Sequence, residues 1–180
     1  MVQYAALLRA YDVNLLIRLD IPNWSAGPKK PPTDEDRERA RAFLTPILEA
    51  LSPYCHHWQY HNEPNFPKPK HSTPHTPPEV YVAWLRLVED ILRDIQPDAI
   101  YSGPATAMLQ CIEEEPYPWV RLAFEAGLGQ PIQQFSYHPY RFGAANRMDA
   151  AVLPEHPSAW TGTWDSYYHQ IDGLKAFIRE

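Results

Sequence analysis

Two hydrophobic patterns alternate along the chain: short apolar runs, and longer stretches whose apolar residues recur every 3.6 positions. Residues 4–11 read as the tail of a helix, with Met1 standing mid-element. Residues 12–20 follow as a short, nearly continuous apolar run, the pattern of a strand buried on both faces in a parallel sheet. Pro22 and the Gly27-Pro28 pair end it. Thr33 or Asp34 is placed to cap a helix with Glu35 and Asp36 in its first turn, and Ala40, Phe43, Leu44, Ile47, Leu48 and Leu51 supply the stripe. Pro46 is expected to kink this helix and Pro53 to close it. Residues 54–61 form a second strand ending in Asn62-Glu63-Pro64-Asn65, and a Pro-rich, His-rich loop covers 66–78. The spacing of Val80, Ala83, Trp84, Leu87, Val88, Ile91 and Leu92 predicts a helix over 79–95. A third strand over 99–102 is punctuated by Gly103-Pro104, a helix over about 117–126 stops at Gly127 and Gly129, and a fourth strand spans 133–138. A loop of about twenty-five residues leads to a last helix over 164–179.

The order is a helix tail and then four strand-helix units, which means βαβ connections and a parallel sheet. The long loops follow the strands and the returns are mostly short. That asymmetry belongs to an α/β chain of the (β/α)8 TIM-barrel type, in which loops after the strands build the active site. Four units are half of a closed barrel, so we expect residues 1–180 to be a single, incomplete barrel domain preceded by the end of a helix. A doubly wound open sheet is the competing architecture, but no G-x-G-x-x-G phosphate turn occurs among the 7 glycines.

Composition narrows the partners. A net charge of −6 argues against capture of nucleic acid or an anionic membrane, both of which need a basic surface. No apolar run approaches the roughly 20 residues that cross a bilayer, and the first residues lack a signal-peptide pattern. The compartment stays open. Two cysteines, Cys55 and Cys111, exclude a disulfide scaffold, and their expected places at opposite ends of the sheet exclude a bond between them. The 20 prolines, about twice ordinary usage, and the 6 Trp and 11 Tyr point to long shaped loops and a stacking surface. His57 and His61 share a strand face but lie about 13 Å apart, too far for one metal ion. The loop pair His71 and His75 has no evident Cys or Asp partner, so neither metal nor cofactor is expected. The Glu113-Glu114-Glu115 run reads as a solvated loop or helix start.

The segment His57-Trp58-Gln59-Tyr60-His61-Asn62-Glu63-Pro64-Asn65 puts a carboxylate at the C-terminal end of a buried strand, just before a proline turn. It resembles the acid/base strand of clan A glycoside hydrolases, retaining (β/α)8 enzymes in which Asn-Glu-Pro closes the fourth barrel strand. Gly103-Pro104-Ala105 resembles the end of that group's fifth strand, and Ser136-Tyr137-His138-Pro139-Tyr140 the end of its sixth. The resemblance runs over essentially the whole chain, from the end of helix two through helix six. It implies a carbohydrate substrate, Glu63 as general acid/base, Asn62 on the sugar hydroxyl beside the anomeric carbon, and His138 and Tyr140 bordering the cleavage subsite. Trp24, in the loop after the first strand, is the preferred sugar-stacking platform; Trp119, Trp160 and Trp164 have core or loop packing as the plainer role, and Trp58 and Trp84 belong under the helices.

A retaining mechanism needs a second carboxyl about 5 Å from the first. In the resembled group it closes the seventh strand, whereas this sequence runs out at Ile178-Arg179-Glu180, inside the expected sixth helix. The 180 residues are therefore expected to contain the acid/base without the nucleophile, and to show no substantial turnover by themselves. The alternative function is a non-catalytic carbohydrate-binding or scaffold protein derived from a barrel, and a metal-dependent hydrolase of the same architecture is a weaker third. The first and fourth strands, left as open edges, would pair with missing barrel strands or drive self-association.

Overall fold

A computed structural model describes residues 1–21, 28–65, 76–106, 118–138, 175, 176 and 179. Its elements run in the expected order: α1 (Val2–Ala10), β1 (Leu16–Leu19), α2 (Asp34–Leu51), β2 (His57–Tyr60), α3 (Pro78–Ile95), β3 (Ile100–Thr106), α4 (Pro118–Glu125) and β4 (Gln134–Tyr137). The four strands are parallel neighbours in the order β1-β2-β3-β4. Trp24 and Tyr140, Trp160 and Trp164, His71 and His75, Cys111, the glutamate run at 113–115 and most of the expected last helix lie outside the described residues.

Helix α2 begins where the sequence places its cap. The Thr33 hydroxyl accepts the Asp36 N–H at 3.2 Å while the Asp36 carboxylate accepts the Thr33 N–H at 3.0 Å, a reciprocal box that satisfies two donors. These bonds hold the Asp36 carboxyl below its usual pKa. The helix continues through Pro46 to Leu51 without interruption, because Leu44 and Leu48 on either side of the proline are anchored in the core. Helix α3 is the central layer. Besides the expected stripe, of which Ala83 is only partly covered, it buries Tyr81, Val82 and Leu85, since it packs on the sheet and touches both α2 and α4. Helix α4 is followed by Gly127 in the left-handed region, φ +95°, the stop the sequence marks.

The core lies between the helices and one face of the sheet. Trp58, Tyr60 and Tyr101 all point there: Tyr60 stacks on Tyr81, Tyr81 meets Trp119 edge-on, and the Tyr101 hydroxyl donates to the Leu85 carbonyl. Trp58, Trp84 and Trp119 are thus buried packing residues, Trp119 donating its indole N–H to the Thr76 carbonyl at 2.9 Å and Trp84 to that of Lys30 at 2.8 Å. Below them Gln96 accepts the Trp58 indole N–H at 2.8 Å and donates to the Cys55 and Ser52 carbonyls, closing the end of the sheet opposite the site. Residues of alternate strand positions face the other way, and the register sets Arg18, Gln59, Ser102 and Gln134 in one polar row across the sheet.

Two strand expectations are corrected. Strand β1 is not buried on both faces, because it forms an edge of the described sheet; Leu16 and Arg18 are exposed and only Leu19 is fully covered. Strand β3 does not stop at Gly103-Pro104 but continues to Thr106. Proline is tolerated there because the ladder to β2 ends at Ser102, and beyond it β3 keeps register with β4 alone. A glycine is needed just before it: a Cβ on Gly103 would lie 2.7 Å from the Tyr81 hydroxyl oxygen.

Candidate active site

The carboxyl ends of the four strands bring together residues far apart in sequence. Past β1 stands Asp20; past β2 come His61, Asn62 and Glu63; β3 ends in Ala105 and Thr106; and His138 follows β4. Main-chain bonds beyond the regular ladders fasten these ends to one another. The His61 N–H donates to the Leu19 carbonyl at 3.1 Å, that of Glu63 to Ala105 at 2.9 Å, and that of His138 to Thr106 at 2.7 Å. The last two carry the chain across from β2 to β3 and from β4 to β3.

Three of these residues sit at positive φ without being glycine: His61 at +62°, Glu63 at +49° and Ala105 at +51°. That region costs an L-residue about 1–2 kcal/mol. Strain of this kind gathers where a side chain must be aimed against local preference. The turn at Glu63 is paired with the turn at Ala105, whose own N–H donates to the Ser136 hydroxyl at 3.0 Å where the β3–β4 register shifts.

The Glu63 carboxylate meets His138, Oε1 to Nδ1 at 2.8 Å, and both side chains are about one quarter exposed, 24% and 28%. Oε2 is left without a partner among the described residues. The Asn62 amide is half-buried and likewise makes no hydrogen bond there. A carboxyl oxygen and a neighbouring amide, partly shielded and unengaged, are suited to a polyhydroxylated ligand, which supplies donors and acceptors in equal measure. Thr106 adds a buried hydroxyl that has no partner among the described residues. The structure therefore brings Glu63, Asn62 and His138 to one edge of the sheet; Trp24 and Tyr140 lie outside the described residues.

A second polar group, passed over in the sequence, adjoins the first. Asp20 Oδ1 lies 3.6 Å from His61 Nδ1, and its Oδ2 accepts from Arg18 Nε at 2.7 Å. The His61 imidazole first, and the Arg18 guanidinium after it, hold the Asp20 carboxyl below the usual carboxylate range against the opposing effect of burial. The signal was the polar residue closing each strand, Asp20 and His61, which the register makes neighbours because Leu19 pairs with Tyr60. Among the described residues no three His, Cys, Asp or Glu side chains converge as a metal site, and no helix is long and apolar enough to cross a membrane.

No family model and no curated protein matches the sequence. Solved structures match the fold. A family 39 glycoside hydrolase from the gut symbiont Bacteroides cellulosilyticus WH2 superposes with a TM-score of 0.57 at 18% identity, over 89% of this chain and 31% of that one. A family 86 glycoside hydrolase variant in complex with neoagarooctaose gives 0.57 at 14% identity, over 79% of this chain and 26% of that one. This chain spans between about a quarter and a third of the length of the structures it matches. Its four parallel strands and the helices between them have the α/β fold found within glycoside hydrolase barrels.

Proposed function

We propose that these residues form part of a retaining glycosidase site for a poly- or oligosaccharide, with Glu63 as general acid/base. The observation that carries the reading is the Glu63 carboxylate at the end of β2, aimed by a left-handed turn and held 2.8 Å from His138. Protonated, Glu63 would donate to the leaving-group oxygen; ionised, it would activate water in the second half-reaction. Asn62 would hydrogen-bond the hydroxyl beside the anomeric carbon, and His138 would fix which carboxyl oxygen faces the glycosidic bond. Trp24 stays in this proposal as the stacking platform on its place in the loop after β1, and Tyr140 as a subsite border on the resemblance. A double displacement also needs a second carboxyl, which the resemblance places on a strand after β4. The chain by itself is therefore expected to bind saccharide without turning over aryl glycosides.

A glycan array of neutral oligosaccharides, followed by calorimetry on the best ligand, tests this. Saturable binding that weakens about tenfold or more in Asn62→Ala, and that survives in Glu63→Gln with the fold unchanged, is the expected result. Absence of binding to every member of the array, or sustained aryl-glycoside turnover by the 180-residue chain, contradicts it.

A further inference from the structure

We infer that Asp20 and His61 form a second recognition point of this site, in which the imidazole Nε2 accepts a hydrogen bond from a saccharide hydroxyl next to the one bound by Asn62. The inference rests on the glycosidase reading and names residues that reading does not use.

The geometry begins at the backbone. His61 is driven to φ +62° and tied by its N–H to Leu19, so its ring stands across from the end of β1, beside Asp20. The side chain is mostly buried, 14% exposed, with the Tyr60 ring 5.7 Å away, centroid to centroid. Its Nδ1 faces Asp20 Oδ1 at 3.6 Å, just outside hydrogen-bond range but close for an ion-dipole contact. The carboxylate is itself fixed by Arg18 at 2.7 Å, and its pKa lies below the usual carboxylate value. A carboxylate on the Nδ1 side favours the tautomer with the proton on Nδ1, because its negative charge attracts that proton. The other nitrogen is then a bare acceptor. Nε2 has no partner among the described residues, and His61 directly precedes Asn62 and Glu63.

The chemistry complements the rest of the site. The Asn62 amide offers both a donor and an acceptor, whereas an imidazole with its proton on Nδ1 offers at Nε2 an acceptor alone, so it selects a hydroxyl that donates outward. Removing the hydroxyl from the ligand leaves a half-buried acceptor unpaired, and discrimination of this type is strong.

The test is nitrogen-15 NMR of the imidazoles at pH 8 on the whole chain, free and with the tightest-binding array member, cellotetraose being the first probe. The expected spectrum shows His61 protonated at Nδ1, a tautomer lost in Asp20→Asn, with Nε2 shifting on saturation in the wild type. Asp20→Asn should weaken binding about threefold to thirtyfold, and His61→Gln, which keeps an acceptor, should retain more affinity than His61→Leu. A wild-type His61 protonated at Nε2, or saturable binding that leaves His61 unmoved, overturns the inference while the Glu63 reading stands. Absence of binding to every array member overturns both, and an unchanged amide fingerprint in each variant separates these results from misfolding.

Discussion

Single residues at the strand ends are where the sequence and the fold pull in different directions. Ala105 at φ +51° donates its N–H to Ser136 and accepts that of Glu63, so its strain is held by two neighbours. Glycine meets no Cβ penalty there. Ala105→Gly is predicted to leave stability unchanged or raise it by up to about 1 kcal/mol in urea denaturation, and a loss beyond about 1 kcal/mol would show that φ is not strained. Gly103→Ala has the opposite sign. Its Cβ would collide with the hydroxyl of a fully buried Tyr81, so we expect about 1–3 kcal/mol of destabilisation by the same measurement. Neither glycine nor alanine announces such a demand in a single sequence. Asn62-Glu63-Pro64 was legible because a proline turn after an apolar strand marks a strand end, whereas the Asp20–His61 approach was not, since it depends on the register of two strands.

At the level of elements, apolar periodicity carried most of the fold, and its failures have local causes. Helix α3 buries its apolar stripe and widens it, because a central helix touches a neighbour on each side, and keeps Glu79, Arg86, Asp90 and Asp94 on its exposed face. Strand β3 runs on through a proline at which the sequence pattern ends it, because the one-sided ladder tolerates that residue. Gln96, the residue that joins β2 to the end of α3, has no sequence signature. Gln96→Met is predicted to cost about 2 kcal/mol, since it strands the Trp58 N–H and two carbonyls, and an unchanged urea midpoint would contradict that role. The tyrosines linking β2, α3 and β3 set the alkaline limit. Burial, foremost, pushes the phenols of Tyr60, Tyr81 and Tyr101 well above their usual value of 10. The unfolded chain loses these protons near pH 10 while the folded chain keeps them, so their contribution is complete below about pH 10 and falls as pH rises. With three such groups the slope reaches about 4 kcal/mol per pH unit. Denaturation midpoints that stay flat from pH 9.5 to 11.5 would show that the hydroxyls are reached by solvent.

For the molecule as a whole, the same end of the sheet gathers the described residues the proposal uses, Asn62, Glu63 and His138, while Gln96 and Cys55 occupy the opposite end. The described sheet has β1 and β4 as its outer strands. Leu16 on β1 and Tyr4, Leu7 and Tyr11 around α1 expose apolar surface, 53%, 66%, 53% and 76%. Such an edge predicts concentration-dependent association of the 180-residue chain in sedimentation velocity, and a single species with one sedimentation coefficient from micromolar to millimolar would count against it. The parallel order and the βα units could be read before any coordinates, since strand and helix periods differ so sharply. Which sugar fits could not, because specificity lies in the shape of long loops that no periodicity describes. The central claim is that a saccharide is held at the carboxyl end of the sheet against Glu63. The most direct measurement is a chemical-shift map of the chain titrated with its tightest-binding oligosaccharide. The account predicts that His61, Asn62, Glu63 and His138 move together and saturably while Cys55 and Gln96 stay still; shifts confined to the opposite end, or spread over the surface without saturation, would contradict it.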